Sequence, residues 1–188
     1  MIYLIDDVID SYTANNIEKQ LFSLQFPWHF TPDTSYGSQN TYQQRPGFLH
    51  WFVKNGERSN YLQLCEPLIT NGALELQKKE VDVIQIRSFL QLPLNSDYTG
   101  KDIDTPHIDL YEPHWVLLYY VVDNDAETVI YSNKMKNSND IPVFDELKEF
   151  TRVKPKKGRM VIFDGMHWHT SIQPKTGLRA IININIKK

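Results

Sequence analysis

The sequence has a single cysteine, no long hydrophobic run and no repeated segment. Because Cys65 is the only cysteine among 188 residues, no disulfide can form within the chain, and a reducing compartment such as the cytoplasm is expected. The apolar run at residues 1–5 is followed at once by two aspartates. It is too short for the core of a signal peptide or for a membrane span, so we expect a cytoplasmic protein without a membrane partner.

The chain also lacks an excess of positive charge. It carries 20 Lys and Arg against 23 Asp and Glu, which gives a net charge of −3. Proteins that bind duplex nucleic acid carry a basic patch or stripe, so this balance argues against a duplex partner. The longest basic cluster, residues 154–157, precedes a glycine and is expected to lie in a solvated loop.

The first 80 residues differ in pattern from the rest of the chain. Helices are predicted over 11–24, capped by Ser11, and over 60–77, where Pro67 breaks or kinks the helix. Between them, residues 26–59 are rich in Pro, Gly and polar side chains, which is typical of a long functional loop.

From residue 81 onward the pattern is a succession of short strands separated by turns. Such a series is typical of a jelly roll, that is, a double-stranded β-helix of the cupin type. A chain of this length buries a sizeable core, so we expect one mainly β (α+β) domain over residues 1–188, with N-terminal helices and loops (1–80) packed on a jelly-roll core (81–188). The predicted strands are 48–53 in the first part and 83–92, 106–110, 115–122, 127–132, 150–154, 159–163, 169–172 and 178–186 in the second, with one helical turn at 142–148.

His107 and Asp109 are the most informative pair of residues. On an extended strand, residues i and i+2 project from the same face, so the imidazole and the carboxylate point the same way. A second imidazole from a distant strand can complete one face of a metal ion. Two His and one carboxylate leave the opposite positions open, which is the donor set of non-haem iron(II) oxygenases.

Two histidines compete for the third ligand position. His167 and His169 have the same parity on a strand, so strand alternation does not choose between them. Arg179 follows His169 by ten residues, and a turn at 174–177 can bring it back beside that histidine. We favour His169 over His167 as the ligand, and Arg179 as a cationic fork for a dicarboxylate.

In order and combination, these motifs resemble the iron(II)/2-oxoglutarate-dependent oxygenase superfamily, and its prolyl-hydroxylase-like branch in particular. The resemblance covers residues 83–186 and extends to small members encoded by phages of aquatic bacteria, for which the compartment would be the host cytoplasm. The motifs that carry it are Thr105–Asp109, Leu118–Val122, Pro155–Gly165, His169 and Gly177–Arg179.

The resemblance implies a double-stranded β-helix of eight strands that holds iron(II) through His107, Asp109 and His169. The co-substrate, 2-oxoglutarate, would chelate the metal and place its far carboxylate against Arg179. The implied reaction is hydroxylation of an unactivated C–H bond with release of succinate and carbon dioxide, supported by ascorbate. The implied substrate is a peptidyl residue such as proline, or a small metabolite.

In the prolyl-hydroxylase-like branch, a tyrosine on the strand after the His-x-Asp motif also binds the far carboxylate. Tyr120 stands at the matching position in this sequence, and Tyr119, which points the other way, is the alternative. Core packing is the competing role for either tyrosine.

Two other functions are compatible with the same residues. A cupin-like module could hold a divalent metal or small molecule without turnover, but it has no need of a buried guanidinium near its last ligand. A metal-dependent isomerase or dioxygenase on the same barrel would work without 2-oxoglutarate.

Several other polar residues lie near the motif in sequence. Arg87 and Gln91 share one face of the preceding strand, and that face looks either into the cavity or into solvent. His114 is expected in a loop or at the pocket rim, and Asp102 and Asp104 are expected to be loop carboxylates. Hydrogen-bond partners for the ligands are expected among Thr105, Thr170 and Asn183.

Overall fold

Strands dominate the computed structural model, which describes residues 1–34, 45–94, 97 and 101–188. The predicted polar loop at 38–44 lies outside these described ranges. Within them, the strands are β1 (Ile2–Ile5), β2 (His29–Thr31), β3 (Gly47–Lys54), β4 (Glu57–Arg58), β5 (Val83–Gln91), β6 (His114–Tyr120), β7 (Thr128–Lys134), β8 (Glu149–Val153), β9 (Met160–Asp164), β10 (His167–Ser171) and β11 (Arg179–Lys187).

These strands form two antiparallel sheets. The large sheet has the order β1-β9-β6-β11-β5-β3-β2, with β4 beside β3, and the small sheet has the order β10-β7-β8. Single bridges from Ile103 to Ile172 and from His107 to His169 extend the small sheet on the side of β10. Two antiparallel sheets with few helices match the predicted jelly-roll architecture.

Helix α1 (Ser11–Leu21) is three residues shorter than the predicted helix at 11–24. Its cap is Asp10 and not Ser11, because the Asp10 carboxylate accepts a 3.0 Å hydrogen bond from the Thr13 amide. Ile17 is buried and belongs to the same apolar cluster as residues of the large sheet.

Helix α2 (Glu66–Glu75) follows a short 3₁₀ turn at Leu62–Leu64. Pro67 lies in the first turn, where a helix needs no N–H donor from it, so it starts the helix instead of kinking one at 60–77. A side chain at Gly72 would lie 2.3 Å from Leu117 of β6, which shows how closely this helix approaches the sheet. No helix among the described residues is long and apolar enough to cross a membrane.

The large sheet has two unlike faces, because successive residues of a strand point in opposite directions. The face towards the helices is apolar and carries Leu117, Ile182 and Ile184. The opposite face, which packs against the small sheet, carries apolar residues such as Leu118 and Ile181. That inner face also carries the polar residues of the candidate site described below.

The predicted strand at 106–110 is wrong. Residue His107 makes one bridge, in which its N–H donates to the His169 carbonyl (2.9 Å) and the His169 N–H donates to the His107 carbonyl (3.0 Å). Pro106 has no N–H to extend that ladder, and the chain continues outside any strand until His114.

Strand β1 was not among the predicted strands. The apolar run at residues 1–5 is too short for a signal or membrane segment, and Ile2–Ile5 instead pairs with β9 and forms one edge of the large sheet. Ile2–Ile5 gives no local strand signal, because its four residues are all apolar and show no alternation.

Candidate metal centre and adjoining cavity

The structure brings together three side chains suited to a metal ion. The ligand atoms of His107, Asp109 and His169 all lie within 4.8 Å of one another. The Nε2 atom of each histidine is 3.8 Å from Oδ1 of Asp109. His107 and His169 face each other across the bridge that joins their backbones, with ring centroids 4.6 Å apart.

The hydrogen bonds of the two imidazoles use Nδ1 and leave Nε2 available to bind a metal. Nδ1 of His107 is 3.3 Å from the Thr105 carbonyl oxygen, and Nδ1 of His169 is 3.0 Å from the His167 carbonyl oxygen. A carbonyl only accepts, so each Nδ1 carries the proton and each Nε2 presents its lone pair. The donor set therefore fits a divalent transition metal.

The Asp109 carboxylate is wholly buried and held by three donors. Arg87 pairs with Oδ1, while Asn183 and Asn185 donate to Oδ2 over 3.0 and 2.9 Å. Burial by itself would raise the pKa of Asp109, but the Arg87 guanidinium and the nearby His169 outweigh it and hold that pKa well below its usual range. Asp109 is thus an anion in a fixed orientation, as a metal ligand must be.

His107 is the ligand candidate that solvent reaches, with 28% of its side chain exposed against 7% for His169. Burial and the neighbouring His169 lower the pKa of His107 to about 4. The ring is therefore neutral at physiological pH, which is the form that binds metals. Its exposure shows which edge of the cluster is open to solvent.

His167, the alternative ligand, points elsewhere. The pairing of β10 with β7 is irregular between His167 and His169, which removes the equivalence that strict alternation gives them. Nδ1 of His167 is 2.7 Å from the Tyr131 carbonyl oxygen, and its ring stacks on Phe150. Among the described residues, the metal-ligand cluster contains His169 and not His167.

Arg179 lies in the wall of a cavity that also reaches His107 and His169. The guanidinium is buried and donates to the Ala126 carbonyl (3.1 Å), to Oε1 of Gln91 (2.7 Å) and to the Thr128 hydroxyl (2.9 Å). All three acceptors are neutral. Within the described part of the chain, Arg179 thus donates to no anion, and a buried cation in that state can receive a carboxylate.

Tyr120 lies outside the cavity lining, next to Thr128 and Arg179. Its hydroxyl donates to Thr128 over 2.8 Å, and its ring lies 5.9 Å from the Arg179 guanidinium. Burial raises the pKa of Tyr120 to about 12, so the hydroxyl keeps its proton. Thr128, which receives hydrogen bonds from both Tyr120 and Arg179, lines the cavity itself. Tyr119 points to the opposite face of the sheet and is buried in the apolar cluster under the helices.

Residues between the metal centre and Arg179 complete the cavity wall. Its apolar part consists of Phe89, Leu118 and Ile181, and its polar part includes Gln91, Asp104 and Ser171. Gln91 and Arg87 thus face inwards, which resolves the two orientations that the sequence left open. Asp104 lies in a loop, as expected, but its side chain is buried in the wall, where Ser171 and Gln173 donate hydrogen bonds to its carboxylate.

Asn185, which donates to Asp109, was not among the predicted partners, although the signal was present. Arg179, Asn183 and Asn185 are separated by even numbers of residues on one strand, so alternation alone places all three side chains on the same face. Of the other proposed partners, Thr105 contributes its carbonyl, whereas the Thr170 hydroxyl donates to the Asp104 carbonyl (2.8 Å) and not to a ligand.

Two further histidines have structural surroundings. His50 is held by the Pro27 carbonyl and the Ser59 hydroxyl, both at 3.0 Å, within a group of aromatic rings. His114 is not at a pocket rim but is fully buried at the start of β6, with its ring packed against Gly165 so closely that a side chain there would overlap it.

No family model and no curated protein matches the chain in sequence. Solved structures do match it in fold. A viral collagen prolyl hydroxylase from Paramecium bursaria Chlorella virus 1, in complex with 2-oxoglutarate, has a TM-score of 0.57 at 16% identity, over 98% of this chain and 94% of that one.

Two further matches carry different ligands. A prolyl hydroxylase from Trichoplax adhaerens, in complex with a hypoxia-inducible-factor peptide fragment, has a TM-score of 0.62 at 12% identity, over 99% of this chain and 83% of that one. The epimerase SnoN, in complex with Fe³⁺, alpha-ketoglutarate and nogalamycin RO, has a TM-score of 0.68 at 10% identity, over 100% and 78%. The chain has the fold shared by the iron(II)- and 2-oxoglutarate-dependent oxygenases, prolyl hydroxylases among them.

Proposed function

We propose that this protein is an iron(II)- and 2-oxoglutarate-dependent dioxygenase that hydroxylates an unactivated C–H bond and releases succinate and carbon dioxide. One observation carries the proposal. A cluster of two histidines and one aspartate opens into the same cavity as a buried arginine that, among the described residues, donates only to neutral acceptors.

The residues divide into metal ligands and co-substrate contacts. His107, Asp109 and His169 would hold the iron, which supplies the chemistry that couples decarboxylation of the keto acid to oxidation of the substrate. Arg179 binds the far carboxylate of 2-oxoglutarate through N–H donors beyond the three already used. Tyr120 would contribute at the same end through Thr128, the residue of the cavity wall to which its hydroxyl donates.

The substrate is proposed at the level of class. The fold neighbours include one protein in complex with a peptide and one in complex with a small natural product, so a peptidyl residue such as proline and a small metabolite are both compatible with this fold. The exposed edge of His107 supports approach of either kind from that side of the cavity.

The test is succinate formation by purified protein with iron(II), ascorbate and 2-oxoglutarate. The wild-type protein should release succinate slowly even without its substrate, and the Asp109→Ala variant should release none. A screen of prolyl peptides and free metabolites for a gain of one oxygen atom then identifies the substrate class.

Two outcomes would favour the alternatives. Metal binding without any 2-oxoglutarate binding in calorimetry would indicate a cupin-like binding module, or an isomerase or dioxygenase that does not use 2-oxoglutarate. Turnover of a substrate without 2-oxoglutarate would separate that enzyme from the binding module.

A further inference from the structure

Asp104 is a buried carboxylate in the wall of the cavity, and the metal ligand set does not use it. Its oxygens accept hydrogen bonds from the Ser171 hydroxyl (2.8 Å) and from the Gln173 amide (2.9 and 3.0 Å). These donors are neutral, so they stabilise the anion without cancelling its charge.

Gln91 connects this anion to the proposed co-substrate site. Its amide oxygen accepts from Arg179 over 2.7 Å, and its amide nitrogen lies 3.4 Å from Oδ2 of Asp104. The Gln91 side chain therefore separates the Arg179 guanidinium, which we propose binds a carboxylate, from the negative charge of Asp104. An uncompensated anion in that position would repel the far carboxylate of 2-oxoglutarate and weaken its binding.

Arg45 supplies the compensating charge. Its guanidinium pairs with Oδ1 of Asp104, and both side chains are almost wholly buried. It also donates to the carbonyls of Lys101 and Asp102, so it is fixed on the chain segment that leads to His107. The Arg45 carbonyl in turn accepts from the amide and the hydroxyl of Thr34 (2.9 and 3.1 Å), which holds its backbone at the cavity wall.

We propose that Arg45 is a positioning residue for the co-substrate, because it neutralises Asp104 and so keeps the Arg179 end of the cavity favourable for a second carboxylate. The inference rests on the proposed function and goes beyond it by assigning a role to an ion pair outside the metal ligands and the carboxylate contact. Burial raises the pKa of Asp104, and the Arg45 guanidinium opposes that rise, so Arg45 favours the charged form of the carboxyl.

The experiment is a mutant cycle read out by ligand binding. Arg45→Gln, Asp104→Asn and the double variant are loaded with manganese(II) without oxygen, and calorimetry measures the affinity for 2-oxoglutarate. The control ligand is 2-oxopentanoate, which has the same keto acid end but a methyl group in place of the far carboxylate. Thermal melting of each variant reports the structural effect separately.

Arg45→Gln should weaken 2-oxoglutarate binding on the order of tenfold, the effect of one unit charge near a partly buried site, and should leave 2-oxopentanoate binding unchanged. Asp104→Asn should bind 2-oxoglutarate at least as tightly as the wild type, and the double variant should return to the wild-type affinity. If Arg45→Gln does not fold, the other two variants still test the inference.

The inference is overturned if the double variant binds 2-oxoglutarate as weakly as Arg45→Gln, or if both ligands lose affinity equally, since either result indicates a purely structural role. It is also overturned if Asp104→Asn binds 2-oxoglutarate clearly less tightly than the wild type. A wild-type protein that does not prefer 2-oxoglutarate to 2-oxopentanoate would instead contradict the proposed function itself.

Discussion

Alternate residues of β11 face two environments with opposite chemistry. Ala180, Ile182, Ile184 and Ile186 point to the helices and lie in an apolar cluster. Arg179, Asn183 and Asn185 point inwards, and the side chain of each hydrogen-bonds to another polar group. The two sets come from one strand of nine residues.

The difference shows how the fold separates stability from chemistry. The outer face buries hydrocarbon, which stabilises the sheet in proportion to the apolar area removed from water. The inner face buries charges, which cost free energy unless they are paired and hydrogen-bonded. Substitutions on the outer face should therefore change stability, while those on the inner face should change ligand binding.

The largest expected effect lies at the metal centre. His107→Ala, Asp109→Ala and His169→Ala should each abolish iron binding, because three protein ligands leave no redundancy in this donor set. Metal titration of the purified variants is the measurement. His167→Ala is the matched control and should bind iron normally, and loss of iron in that variant would reverse the choice between the two histidines.

On the outer face of the same strand, Ile184→Ala should lower the free energy of unfolding by about 2–5 kcal/mol, because it leaves a cavity in a fully buried cluster. Denaturant unfolding measures this change. Ile184→Val, which removes less volume, should cost about 0.5–1.5 kcal/mol. Folded Ile184→Ala should keep the wild-type affinity for metal, and a weaker affinity would show that the two faces are not independent.

At the far end of the cavity, Arg179→Ala should raise the 2-oxoglutarate requirement on the order of a hundredfold, since a charge-assisted contact contributes about 3 kcal/mol. The measurement is the concentration dependence of succinate release, with metal affinity as the internal control. An unchanged requirement would transfer the role of carboxylate anchor to another cation, with Arg87 the next candidate.

The smallest effect on stability is expected at a solvent-exposed ion-pair cluster around Asp6. Asp6 accepts from Arg159 (2.6 Å) and Lys156 (3.0 Å), and these hydrogen bonds lower its pKa to about 2. The stabilisation is complete above the ordinary pKa of 3.8 and is lost as the pH falls from there to about 2.

Asp6→Asn should therefore lower the free energy of unfolding by less than about 1 kcal/mol at neutral pH, as is usual for exposed ion pairs. Urea unfolding of both proteins from pH 7 down to 2 should show the difference disappear at the acid end. A difference that persisted at pH 2 would mean that Asp6 stabilises the fold through something other than its charge.

Most of the strands could be predicted from the sequence, because apolar alternation and turn residues are local signals. Residues 83–92, 115–122 and 178–186 were identified within two residues of their observed ends. Local signals predicted a strand at 106–110 that does not form, because backbone pairing there stops at one bridge beside Pro106. They also gave no strand at Ile2–Ile5, which is too short to show alternation.

The candidate site was predictable in part from the order and spacing of its motifs, although the strand expected to carry His107 and Asp109 does not form. His107, Asp109, His169 and Arg179 come together as expected, whereas iron and 2-oxoglutarate binding stay predictions. The burial of Asp104 and its pairing with Arg45 were not predictable, because the two residues lie 59 positions apart and neither belongs to a periodic pattern.

The sequence alone determined which residues share a face of each strand, because alternation follows from backbone geometry and needs no neighbours. It therefore also determined that the side chains of Tyr119 and Tyr120 lie on opposite faces of the sheet. Only the tertiary structure decided that His169 and not His167 meets the carboxylate, since an irregular pairing between two strands breaks the alternation there. The tertiary structure likewise decided which charges are buried together, because burial depends on packing between segments that are distant in the chain.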